Sequence, residues 1–360
     1  MGWHIDFNRR FVTAFYFTNV MNTTVKRNSN IELLRICCML MIIAGHVMKN
    51  HKIQYSLTDI DEIINLFFRG AFCVAVNAFV LISGYFGIIF KKDRLARLIF
   101  QTFFYSSTFM IIAVLLGWHT VNPRTDFFAF IPILTKHYWF VTCYVILYII
   151  SPWLNIWVDN LERTDFRRFL FVGLLIVYVW PTFNYLINAP QFIGDAGYGI
   201  VNFVYLYMLG RYFRLYYTCR HTSMYYWGGY ILSSMALFLC QYGLSWLLGF
   251  EFTCWRSYNT IFIFIGSICL FMAFKEMSFH SSIINFWARP CLAVYLIHMA
   301  PFVLEKFCTA VGVQDYHGLS YLVLIFILPV AIYWACSLLE ICRLFVLRGV
   351  ENQLISFVIR

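Results

Sequence analysis

Charge is scarce in this sequence: Asp, Glu, Lys and Arg make up 12% of 360 residues, against roughly 25% in a soluble domain. A water-facing surface of ordinary extent is therefore excluded. About ten membrane spans of ~20 residues with short loops use nearly the whole length, which leaves no room for a soluble domain of ordinary size. No Cys-x-x-Cys pair occurs among the twelve cysteines, and most lie within apolar runs. They are read as small buried hydrophobes, with no metal site or disulfide expected. No Gly-x-Ser-x-Gly turn surrounds Ser83, so Ser83 is not read as a nucleophile. No small-residue cleavage site follows the short apolar run at 11–17, so it is not read as a signal peptide. No internal repeat relates two halves of the chain, and the outer loops are short.

What is present is apolar and aromatic: 61% hydrophobic residues and 21% Phe, Trp and Tyr. Such an aromatic content suits interfacial belts and the stacking walls of a cavity. The apolar runs predict an all-α polytopic bundle with ten spans, near 31–48, 63–90, 98–118, 137–153, 169–187, 198–211, 225–248, 258–274, 290–308 and 319–339. The expected organisation is an N-terminal extension (1–29), a transmembrane domain (30–345) and a basic tail (346–360). With the N-terminus inside, nineteen Lys and Arg fall in inner segments and six in outer ones, so the positive-inside rule predicts both termini in the cytoplasm. The net charge of +10 is scattered in short clusters between apolar runs, which argues against a nucleic-acid partner.

Two ionisable residues in the first span are candidates for chemistry. Arg35 and His46 are eleven residues apart, so on a helix they return to within roughly 20° of one face, about 16 Å apart along the axis. Ionisable groups inside a membrane are costly and commonly functional, although end positions also allow snorkelling to the interface. In the predicted orientation Arg35 lies toward the cytoplasm and His46 toward the outer half. Arg94 and Arg97, at i,i+3, share a helix face. With Arg35 they offer planar guanidinium forks suited to the phosphates of a nucleotide-derived ligand.

At these residues the sequence resembles the membrane-bound acyltransferase-3 family of bacterial O-acyltransferases. The likeness lies in Asn30-Ile31-Glu32-Leu33-Leu34-Arg35 with His46 downstream, in Phe79-Val80-Leu81-Ile82-Ser83-Gly84-Tyr85-Phe86, and in Arg94-Leu95-Ala96-Arg97. It continues in Tyr138-Trp139-Phe140, in Leu147-Tyr148-Ile149-Ile150-Ser151-Pro152, and in Ala293-Val294-Tyr295-Leu296-Ile297-His298. It covers roughly residues 29–345. The expected proline ahead of the Ser-Gly-Tyr stretch is Asn77 here.

The resemblance implies a multi-pass protein of the bacterial inner membrane. Its donor would be a cytoplasmic acyl-CoA, most simply acetyl-CoA, and its acceptor a hydroxyl of a polysaccharide or lipid-linked glycan. His46 matches the family's catalytic histidine, and Arg35, Arg94 and Arg97 match positions linked to donor binding. Ser83, Tyr85, Tyr138, Trp139 and His298 are candidates to line the site, with Tyr85, Tyr138, Trp139 and Asn77 as candidate oxyanion donors. Asp195 is a candidate acceptor contact. No permanently bound cofactor and no metal are expected, and the oligomeric state is open. A glycan exporter without acyl-transfer chemistry, whose permeation path Arg35 and His46 would line, is the alternative reading. A glycan polymerase is a third, against which the short outer loops weigh.

Overall fold

The computed structural model describes residues 27–51, 56–218, 221–249, 251–252 and 257–359, so most of the expected N-terminal extension lies outside it. The described residues are helical with no strand. In chain order the helices of six residues or more are α1 (Ser29–Asn50), α2 (Ile60–Phe72), α3 (Val74–Phe86), α4 (Lys92–Leu115) and α5 (Trp139–Asn160). They continue with α6 (Arg163–Leu186), α7 (Ile200–Tyr216), α8 (Ser223–Leu248) and α9 (Ile261–Lys275). The last are α10 (Ser282–Trp287), α11 (Cys291–His298), α12 (Val303–Val311) and α13 (Gly318–Ile359).

Each expected span falls on one of these helices or on a consecutive pair of them, but they are not alike. Seven are long and apolar enough to cross a membrane, counting α2 and α3 together as Ile60–Phe86. Of the other three expected spans, α7 has 17 residues and α9 has 15. The third, expected as one run over 290–308, is the pair α11 and α12, bent by 77°. Pro301 explains that break: it has no N–H to give and biases the preceding residue away from helical geometry. Phe302, next in the chain, sits at φ 66°. The tail expected from 346 continues α13 without interruption to Ile359.

Helix α1 is the shared wall of the bundle. Ile31, Leu34 and Cys38 on its first half belong to one apolar core, while Met39, Ile43 and Val47 on its second half belong to another, together with α11. Asn30, just inside α1, directs its amide at the carbonyls of Phe274, Lys275 and Met277, 2.9–3.2 Å away. Those groups end α9, where carbonyls have no helical partner, so one side chain joins two helix ends.

Glycine sets the closest approach. A Cβ on Gly84 of α3 would collide with the Tyr207 carbonyl of α7, and one on Gly210 would lie 2.6 Å from the Leu81 carbonyl. These reciprocal positions let two backbones touch, as small residues do in membrane bundles. In α5, Pro152 cannot supply an N–H to the Tyr148 carbonyl one turn back. The hydroxyl of Ser151 donates to it instead at 2.8 Å, which gives the Ser-Pro pair a physical meaning.

Candidate active site

Helix α11 lies against α1, with the Cys291 thiol 3.6 Å from the Arg35 carbonyl at one end. At the other end Nδ1 of His46 is 3.1 Å from Nε2 of His298. His298 is the last residue of α11 and is 1% exposed, and its own Nδ1 is 2.7 Å from the Val294 carbonyl. A carbonyl only accepts, so Nδ1 of His298 carries a proton, and its neutral ring presents a lone pair at Nε2. His46 must then donate from Nδ1, which leaves its Nε2 unprotonated. The tautomers are assigned by this hydrogen-bond chain. The arrangement orients a base through a second residue, with a histidine where an acidic group often stands.

Around the pair the walls are aromatic. Tyr138 is buried and donates to the Leu296 carbonyl at 3.1 Å, so its hydroxyl holds α5 to α11. Tyr295 packs edge-on to His298 with ring centroids 5.9 Å apart and also touches Tyr138 and Phe140. The Tyr295 hydroxyl is buried and makes no well-formed hydrogen bond among the described residues, although the Phe140 backbone N–H lies beside it. Tyr295 lies in the 293–298 stretch, where sequence gives no sign that its hydroxyl is left without a well-formed partner. Trp139 stacks on Tyr258 at 5.6 Å and meets Tyr198 at 4.6 Å, farther along the same aromatic wall. Asn77 is fully buried and spent on structure: it donates to the Tyr258 carbonyl at 2.9 Å and accepts from Asn202 at 3.2 Å. The Asp195 carboxylate accepts from the Gly197 backbone at 2.9 Å within a turn.

The basic residues separate into three environments. Arg35 pairs with Glu32 at 3.1 Å and remains partly exposed. Arg94 is exposed and has no ion pair among the described residues. Both lie within electrostatic reach of the Tyr144 phenol, which has the Ser83 side chain beside it, so Ser83, Tyr144, Arg35 and Arg94 share one neighbourhood. Arg97 points elsewhere, to Glu351 of α13 at 3.5 Å. Tyr85 stands apart from these groups, with Arg214 over its ring at 5.4 Å and Lys275 at 5.9 Å. Of the expected residues, the structure thus joins His46 to His298, sets Tyr138 on the same turn, and gathers Arg35, Arg94 and Ser83 at the opposite end of α1.

A bundle of apolar helices around a histidine pair, His298 buried and His46 partly buried, defines a multi-pass membrane protein with a polar site inside it. Residues 28–338 match the family model Acyl_transf_3, described as an acyltransferase domain. The chain belongs to that family and is a membrane acyltransferase by its domain. No curated protein and no solved structure matches it.

Proposed function

We propose that the chain is an O-acyltransferase of the bacterial inner membrane. It takes an acyl group, most simply acetyl, from cytoplasmic acyl-CoA and delivers it to a hydroxyl of a cell-surface polysaccharide or its lipid-linked precursor. The observation that carries this reading is the pair of contacts from His46 Nδ1 to His298 Nε2 (3.1 Å) and from His298 Nδ1 to the Val294 carbonyl (2.7 Å). It leaves Nε2 of His46 free to accept a proton. Membership of the acyltransferase family supplies the reaction class.

In this mechanism Nε2 of His46 takes the proton of the acceptor hydroxyl as its oxygen bonds to the thioester carbon. The tetrahedral intermediate collapses, the carbon–sulfur bond breaks, and the departing CoA sulfur takes the proton back from His46. His298 acts as a positioning residue that fixes the tautomer and ring of His46. The Tyr295 hydroxyl is the candidate donor to the developing oxyanion, since its ring packs against His298 and its oxygen makes no well-formed hydrogen bond among the described residues. Arg35 and Arg94 would meet the donor phosphates, with Ser83 and Tyr144 beside them. The Lys and Arg bias supports a cytoplasmic position for that end of α1, and a bound CoA would then reach toward His46 from the side where it is made.

The test is transfer of radiolabel from acyl-CoA to lipid-linked glycan by the purified protein in vesicles. Labelled glycan with the wild type, and none with His46→Ala, is the expected result. Full labelling by His46→Ala would remove the base assignment. Passage of unmodified glycan across the vesicle without any labelling would replace the enzyme with an exporter.

A further inference from the structure

A second polar cluster lies beyond the far end of α1, away from Arg35. His51 follows the last residue of α1, Asp61 stands in the first turn of α2, and His317 immediately precedes α13. Each offers a nitrogen or carboxylate oxygen, and these three atoms lie within 4.8 Å of one another. His51 is 4% exposed and Asp61 is 3% exposed.

The bonding around these groups leaves one nitrogen, Nδ1 of His51, without a partner among the described residues. Nε2 of His51 is 2.8 Å from the Tyr316 carbonyl, which can only accept, so that nitrogen carries the proton. Nδ1 of His51 is therefore a lone pair, and it is buried with no hydrogen bond among the described residues. A buried, unpaired imidazole nitrogen in a polar cluster requires an explanation. The ring is held in place by Tyr321 at a centroid distance of 4.1 Å, and Tyr321 is itself fixed by donating to Asn65 at 2.6 Å. Asp61 accepts from the Gly318 backbone at 2.7 Å through one oxygen and meets Nδ1 of His317 at 2.7 Å through the other.

An Asp61–His317 ion pair accounts for two of these residues but leaves the His51 lone pair without a purpose. A cation accounts for all three. We propose that His51, Asp61 and His317 bind a divalent transition metal, with zinc the best match to two imidazoles and one carboxylate. Protein groups oriented by second partners, as His51 is by Tyr316 and Asp61 by Gly318, are characteristic of metal ligands. His317 is 69% exposed at its side chain, so the fourth position opens to water. The ion ties together the ends of α1, α2 and α13, five residues beyond His46 and about 7.5 Å farther along the same helix line. Its placement there does not depend on the acyl-transfer reading.

The test uses tag-free full-length protein in nanodiscs, stripped with a chelator and titrated with zinc alone. The expected result is about one zinc per chain, with affinity at least roughly tenfold weaker in His317→Ala and in Asp61→Asn. The exposed His317 allows its replacement without loss of the fold, and the unfolding temperature in the absence of metal checks this. Zinc should raise the unfolding temperature of the wild type and leave that of His317→Ala unchanged. No zinc binding by the wild type, or equal binding by all three proteins, overturns the proposal.

Discussion

Arg97 lies 3.5 Å from Glu351, a residue 254 positions later whose other oxygen takes Arg343 at 2.8 Å. Arg343 in turn grips both oxygens of Glu340 at 2.7 and 3.0 Å, and Glu340 accepts from Tyr105 and from Gln101 of α4. Arg97 is thus one rim of a network that fastens α13 to α4, while Arg94, three residues earlier, has no such partner among the described residues.

The two arginines should therefore separate in kinetics. A charge-assisted bond to a phosphate is worth about 1.5–3 kcal/mol, so Arg94→Ala should raise the KM for acyl-CoA roughly tenfold to a hundredfold. Arg97→Ala should leave that KM nearly unchanged. Because the Arg97 side chain is 42% exposed, its loss should cost only about 1 kcal/mol of stability. Donor titrations and thermal unfolding of both variants measure the split. A large KM effect at Arg97 would return it to the donor site.

His298 should matter through His46. Removing a group that orients a general base should cost part of the roughly hundredfold to ten-thousandfold that the base supplies. His298→Ala is expected to lower kcat within that range, with the donor KM held. The shape of the pH–rate profile is the telling measurement. Loss of the fixed tautomer should move the acidic limb of the profile, where His46 gains its proton, whereas a purely structural lesion would scale the whole curve without moving it.

Tyr295→Phe removes one oxygen and little else. Since that hydroxyl makes no well-formed hydrogen bond among the described residues, its loss should leave thermal stability unchanged or slightly higher. An oxyanion donor contributes roughly a hundredfold to a thousandfold in kcat. The expected outcome is a slow, fully folded enzyme, read from single-turnover transfer and an unfolding curve. Wild-type turnover would exclude the role.

Much of the fold was legible because lipid imposes a strong constraint: each apolar run has to satisfy its own backbone, and a helix does so. The bend after His298 was also written, in Pro301, but an apolar run of the right length hid it. The site was legible only in halves. Arg35 and His46 announced themselves as ionisable groups in an apolar helix, and their spacing gave their common face. The partner of His46 lies 252 residues away, beyond any local period, and no count of charges tells that Arg97 is claimed by Glu351. His51, Asp61 and His317 escaped notice for the same reason. Each is ordinary at a helix end, and only the packing of α1, α2 and α13 makes them neighbours.

Gly45 and Gly84 invite a direct comparison, because both interrupt apolar helices and only one is pressed by a neighbour. A Cβ at Gly45 would meet nothing within 4 Å, whereas one at Gly84 would strike the Tyr207 backbone. Gly45→Ala, beside His46, should gain up to about 1 kcal/mol from helix propensity. Gly84→Ala should force α3 from α7 and cost about 1–3 kcal/mol or more, since a backbone carbonyl cannot turn aside as a flexible side chain can. Unfolding of the two variants in the same detergent gives the signs. A further consequence concerns function: Gly45 is the chain neighbour of His46 and its Cβ direction is open, so a methyl group there should slow transfer to a bulky glycan more than transfer to a small alcohol. Equal slowing with both acceptors would mean that the acceptor approaches His46 from another side.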